Sequence, residues 1–195
     1  MNWGIVFSSA PVYAEAALLT VRVALFGVIG ALFAGICCAV AQHFRIPVAR
    51  HLAAAYVEIS RNTPLLVQLF FLYYGLPKLG IKLDQEICAI IGLAFLGGSF
   101  MAETLRSGLD AVEPIQLQSS LSLGLTPWQA MRRVILPQAV AISMPGITAN
   151  LVFLVKETSV VSIIALPDLV FRAKEQIGSK YQLTQIGRAS CRERV

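Results

Sequence analysis

The sequence predicts an all-α, polytopic helical membrane protein, on three observations. Apolar residues make up 56% of the 195 and charged residues only 14%, against roughly 45–50% and about 25% in soluble domains. Mean hydropathy is +0.70. Several apolar runs are long enough to cross a bilayer, where a helix satisfies its own backbone. This balance excludes disorder, a disulfide-stapled secreted module and a soluble enzyme. A net charge of +5 fits basic residues placed at cytoplasmic loops and anionic headgroups, with no nucleic acid involved.

The first run, Ala16 to Ala41, carries one charge, Arg22, near its end, where the side chain can snorkel to the headgroups. At ~1.5 Å per residue it crosses a ~30 Å hydrocarbon core. Gly27, Gly30 and Gly35 mark a face for close helix packing. Pro47 breaks the helix in a basic stretch holding His43, Arg45, Arg50, His51 and Arg61. A second span begins near Ala53, with LLVQLFFLYYGL after Pro64 as its apolar half and Tyr73 and Tyr74 at an interface. The loop from Gly75 to Glu86 has charges that cancel. A third span covers Ile87 to Leu105. The segment from Arg106 to Pro137 is too charged to cross, and within it two short helices flank a turn at Gly124 and Pro127. A fourth span runs from Ala139 to Val155, is interrupted by Lys156 to Ser159, and resumes as VVSIIAL until Pro167.

The basic loops place residues 42–60 and 106–138 in the cytoplasm and the N-terminus outside. The N-terminus lacks the basic start of a signal peptide. Cys37, Cys38, Cys88 and Cys191 form no CxxC or Cys/His ligand spacing, so no metal site is expected and they read as small packing residues. His43 and His51 read as ordinary loop residues. No catalytic residues are expected.

The informative segment is MAETLRSGLDAVEPIQLQSSLSLGLTPWQAMRRVILPQAVAISMP at 101–145. Ser119 and Ser120 are small enough for close docking, and Gly124 can take the positive φ of a turn. Trp128, Met131 and Val134 fall on one helix face, and Pro137 sets where the next span begins. A soluble partner could grip such a helix, or the segment could lie against the membrane as a surface loop; the residues alone leave both open.

This segment resembles the cytoplasmic EAA loop of ABC importer permeases: Glu-Ala-Ala, three residues, Gly, nine residues, Ile, one residue, Leu-Pro. The positions fall on Gln118, Ser119 and Ser120, then Gly124, Val134, Leu136 and Pro137, with Leu125 beside the glycine. RNTPLLVQLFFLYYGLP at 61–77, MAETLRSGL at 101–109 and VKETSVVSIIALPDL at 155–169 resemble the polar amino-acid branch of that family. Gln118 replaces the family's Glu and keeps hydrogen-bonding reach without charge.

The resemblance implies a type I importer-like transmembrane domain and half of a translocation pore in a bacterial inner membrane. It implies a second permease subunit, a cytoplasmic ABC ATPase dimer gripping a coupling helix at about Ile115 to Leu123, and a periplasmic or lipid-anchored amino-acid-binding protein. ATP and Mg would sit in the ATPase; the chain has no GxxxxGK[ST] loop. It also implies a further span after about residue 180. The domain is placed at 1–186, and the abruptly polar GRASCRERV at 187–195 is read as a foreign or frame-shifted tail.

Polar groups at membrane depth usually face a cavity or partner. Asn62, Thr63, Gln68, Glu103, Glu157, Thr158 and Ser159 are therefore the candidates for a substrate path. Glu157 could attract an ammonium, and Thr158 and Ser159 could donate to a carboxylate; alternatively Lys156 and Glu157 satisfy one another. Glu103 and Arg106 are spaced as an i,i+3 pair. An ion-coupled transporter or channel would show acidic span centres or repeats, and an intramembrane enzyme a catalytic cluster.

Overall fold

The structure, a computed structural model, describes residues 3–178, with side chains from residue 11 onward. Every regular element among them is helical. Helix α1 (Trp3–His43) contains the first predicted span. It ends where Pro47 forbids continuation, and Arg45 (φ 50) and Val48 (φ 67) turn the chain into α2 (Ala49–Asn62). That helix is amphipathic. Ala53, Val57 and Ser60 are buried, while Arg50, His51, Glu58 and Arg61 are exposed.

The second span is not the single helix expected. It breaks between Asn62 and α3 (Leu65–Phe70). Pro64 has no N–H to give, and its ring disfavours helical backbone at Thr63, which is extended (φ −109, ψ 120). Local side chains take up the freed carbonyls. Gln68 Nε2 donates to Ser60 O at 3.3 Å and Thr63 O at 3.0 Å, and Thr63 Oγ1 donates to Ile59 O at 2.8 Å. The helix then widens into a π turn at Phe71–Gly75 and tightens into a 3₁₀ turn at Leu76–Leu79. Three helices among the described residues have the length and apolarity to cross a membrane: Pro11–His43, Gln85–Asp110 and Pro127–Ile164.

Helix α4 (Gln85–Asp110) starts on the cap of Asp84, whose carboxylate accepts from Glu86 N at 3.3 Å. It runs past the predicted end at Leu105, so the first residues of the expected loop are helical. It is the central helix, packed on α1, α2, α3 and α7 (Leu136–Glu157). Small residues make this possible. A methyl carbon at Gly35 would stand 2.5 Å from Met101 Cβ, and one at Gly30 would stand 2.8 Å from Ala94 Cβ. The glycines of α1 thus form the predicted packing face. Val23, Leu69, Leu93, Met101, Val161 and Ile164 fill the core around it.

Arg22 does more than reach for headgroups. Its Nε lies 2.8 Å from Glu86 Oε1, tying α1 to the start of α4. Pro137 sits in the first turn of α7, where the next span was expected to begin, but no break in the chain's helical path precedes it. The short helices α5 (Pro114–Ser122) and α6 (Pro127–Ala130) lead into a π turn at Met131–Ile135, and α7 follows without a break. The π turn explains how proline is accommodated. Leu136 N bonds back to Met131 O, five residues earlier, and Gln138 Nε2 donates to Val134 O at 3.0 Å. A 3₁₀ turn at Thr158–Ile164 ends this column, and Ala165 takes a left-handed conformation (φ 58). Pro167 then gives the predicted stop. Asp168 Oδ1 accepts from Phe171 N at 2.8 Å, capping a last helix over 169–178. The tail at 187–195 and the expected span after residue 180 lie outside the described residues.

Candidate functional site

The segment singled out in the sequence forms an arm at one end of the bundle. Glu113 and Pro114 start α5, with proline in the first turn, where its missing N–H costs nothing. Leu123 N and Gly124 N close the helix onto Ser119 O and Leu121 O at 3.1 and 3.0 Å. Gly124 sits at φ 83, the left-handed region predicted for the turn. Leu125 N returns to Ser120 O at 3.2 Å. Thr126 and Gln129 form a reciprocal capping box that starts α6, with Pro127 at its first turn.

The arm buries little. Ile115, Leu117, Leu121, Leu123 and Trp128 are all exposed, Leu123 at 83%. Its root is a small satellite core of Val112, Ile135 and Ala139, flanked by Leu109 and Met131. Of the two serines read as docking residues, Ser119 is exposed and Ser120 is not. Ser120 is 4% exposed, its hydroxyl donates to Gln116 O at 2.6 Å, and it lies where α5 packs on α6 and the π turn. Its small size serves the arm's own hairpin. Gln118 is exposed. Trp128, Met131 and Val134 do not act as one face: Trp128 is exposed while Met131 packs into the satellite core. Leu136 and Pro137 are exposed beyond the π turn, with Val134 half-buried.

A polar cavity of about 540 Å³ opens between α1, α2 and α4 and is lined in part by Glu58, Arg61, Asn62, Phe100, Glu103 and Arg106. Glu103 is the hub. Its carboxylate lies 3.1 Å from Arg61 Nη1 and 3.0 Å from Arg106 Nη2, and Arg106 also reaches Asp110 at 2.9 Å. The expected Glu103–Arg106 pair is present and is extended across helices by Arg61. Arg61 further lies over the Phe100 ring at 5.3 Å. The guanidinium thus meets both a carboxylate and an aromatic face. In the sequence Arg61 counts only as loop charge, because its partner lies on another helix.

The remaining candidates separate. Asn62 lines the cavity, although its Nδ2 donates to Glu58 O at 2.8 Å. Thr63 and Gln68 line a different, apolar pocket with Phe71 and Phe95, and Gln68 staples the α2–α3 break. Glu157, Thr158 and Ser159 lie at the far end of α7. There Thr158 Oγ1 donates to Val155 O at 2.7 Å and Ser159 Oγ to Lys156 O at 2.8 Å. Lys156 and Glu157 do not form an ion pair with each other. His43 ends α1 and His51 lies in α2 rather than in a loop, and both line a second cavity beside Arg106. No group of three His, Cys, Asp or Glu residues that could hold a metal occurs among the described residues.

A helical bundle built for a bilayer, carrying an exposed arm at one end and a charged cavity near it, has the architecture of a membrane-spanning transport subunit. Comparison with known proteins places it further. Residues 27–185 match the family model of the binding-protein-dependent transport system inner membrane component, and the chain belongs to that family. It is 34% identical over 166 residues to the probable amino-acid ABC transporter permease protein PatM of Vibrio harveyi, covering 84% of this chain and 74% of PatM. It is 34% identical over 157 residues to the probable glutamine ABC transporter permease protein GlnP of Bacillus subtilis, covering 80% and 72%. The fold matches the crystal structure of an amino acid ABC transporter with histidines at a TM-score of 0.84 and 29% identity, covering 93% of this chain and 85% of that one.

Proposed function

We propose that the chain is the pore-forming permease subunit of an ATP-driven amino-acid importer. The observation that carries this is the arm. An importer's motor needs a handle that is firm at its root and open at its tip. Residues 114–130 expose Ile115, Leu117, Leu121, Leu123 and Trp128 while the satellite core anchors them to α4 and α7. The amino-acid permeases among its relatives supply the substrate class.

In this reading two permease subunits, identical or similar, enclose the pore. Gln118, Ser119 and the turn at Gly124 and Leu125 meet a cytoplasmic ATPase, which holds ATP and Mg; Ser120, Val134, Leu136 and Pro137 keep the arm's shape. Motion of the arm passes through Val112, Ile135 and Ala139 into α4 and α7. The helices then rock between two access states. A periplasmic or lipid-anchored binding protein delivers the amino acid to a bacterial inner membrane. Asn62 and Glu103 hold it on its way through the charged cavity, and Glu157, Thr158 and Ser159 lie on the path nearer its entry. Thr63 and Gln68 keep the α2 break open beside that path.

The test is uptake in proteoliposomes holding the permease, its ATPase and its binding protein. Uptake is expected to require internal ATP and to survive a protonophore. Uptake that proceeds without the ATPase on a proton or sodium gradient would overturn the proposal.

A further inference from the structure

The second cavity, about 490 Å³, lies at the end of α1 and the start of α2 and is lined by His43, Arg45, Arg50, His51, Arg106 and Asp110, together with Gln42 and Ala54. Its charges do not balance. Asp110 is taken by Arg106 at 2.9 Å. Arg45 and Arg50 form no ion pair with any described residue. Two guanidinium groups therefore converge on one concavity with no acid left to meet them.

The cavity's surroundings are of the opposite character. The tight loop after His43 exposes Phe44, Ile46 and Val48, and α2 adds Leu52. Apolar side chains exposed in this number beside a basic cavity suit an amphiphile better than a soluble anion. Their place is also apt, since the membrane-crossing stretch of α1 ends at His43. The first N–H groups of α2 are already bonded, Arg50 N to Ile46 O at 3.0 Å and Leu52 N to Val48 O at 3.1 Å. Recognition of an anion therefore falls to the side chains.

We propose that this cavity binds the phosphodiester headgroup of an anionic phospholipid, with Arg45 and Arg50 on the phosphate oxygens and the acyl chains along Phe44, Val48 and Leu52. Guanidinium groups suit this because their paired N–H donors match phosphate oxygens. Basic pockets between membrane helices at the headgroup level are a recurrent form of lipid recognition. An anionic headgroup is favoured over a zwitterionic one because no free carboxylate in the cavity would receive an ammonium. The site stands apart from the transport proposal, since nothing in it depends on an ATPase.

The experiment is lipid exchange on the purified full-length chain in mixed micelles of phosphatidylglycerol and phosphatidylethanolamine with identical acyl chains. Retained lipid is counted by mass spectrometry. The wild type is expected to keep phosphatidylglycerol at least fivefold over phosphatidylethanolamine. R45Q/R50Q should lose that preference to within twofold. R45K/R50K should keep most of it, and K78Q/K82Q, at the opposite end, all of it. Equal retention of the two lipids by the wild type would overturn the proposal, as would an unchanged preference in R45Q/R50Q. Displacement of the lipid by glycerol 3-phosphate at matching concentration would also overturn it, by showing that the apolar rim contributes nothing. Should R45Q/R50Q not fold, the wild type decides alone: its preference must fall in about 1 M salt, where surface charge is screened within ~3 Å.

Discussion

The seam between α4 and α7 and the arm at 114–130 use the same small residues for opposite ends. In the seam, Gly108 lies against Ser143 and the Ala139 carbonyl, so that even a methyl carbon there would stand 2.7 Å from Ala139 O. Across the seam Ser143 Oγ donates to Thr104 O at 3.3 Å, and Asn150 Nδ2 donates to Thr104 Oγ1 at 2.8 Å. At Gly124 in the arm a methyl carbon would meet nothing within 4 Å, yet φ is 83. One glycine is required by space and the other by backbone conformation. The seam is packed shut, and the arm leaves its tip exposed.

The comparison is broken most sharply by placing one substitution at both positions. Gly108→Val should cost about 3 kcal/mol, the upper range for overpacking a tight contact, and be read as a lower unfolding temperature in detergent. Gly124→Val should cost only ~1–2 kcal/mol, the penalty of a left-handed β-branched residue. It should nevertheless reduce ATP-dependent uptake in proteoliposomes at least tenfold. If Gly124→Val transports like the wild type, the arm is not the coupling element.

The capping box offers a milder test. Thr126→Ala removes the acceptor for Gln129 N and should cost about 1 kcal/mol. Hydrogen exchange should quicken in α6 and leave the α1–α4 seam protected. Smallest is Glu103→Gln, which loses two ion pairs whose side chains are each about two-fifths exposed. After solvent screening the loss should be ~0.5 kcal/mol, shrinking as salt is raised. A much larger loss, insensitive to salt, would show Glu103 to be a structural keystone rather than a cavity group.

Much of this was legible in the sequence, and the reasons differ by region. The apolar runs announced α1, α4 and α7 because burial in lipid leaves a continuous signature. The arm's turn was legible because Gly124 and Pro127 act locally on the backbone. The break at Thr63 was only half legible: Pro64 marked where the apolar half begins, but the polar stretch Ser60–Thr63 before it did not show that the helix stops there. Pro137 marked the first turn of α7 as expected, but nothing in the sequence showed the π turn that joins it to α6 without a break. Arg61 on Glu103 and Arg22 on Glu86 had no local signal at all, since each pair joins residues more than forty positions apart. The inward side of Ser120 could not be read without knowing that α5 folds back on α6.

The wide turn before Leu136–Pro137 inserts one residue into an otherwise α-helical path. One residue is a rotation of ~100° about the axis. The wide turn takes up most of that rotation locally, so α6 and α7 stay on one continuous helical path. Deleting a single residue within Met131–Ile135 should therefore close the wide turn into ordinary α-helix, with the helices on either side close to their present faces.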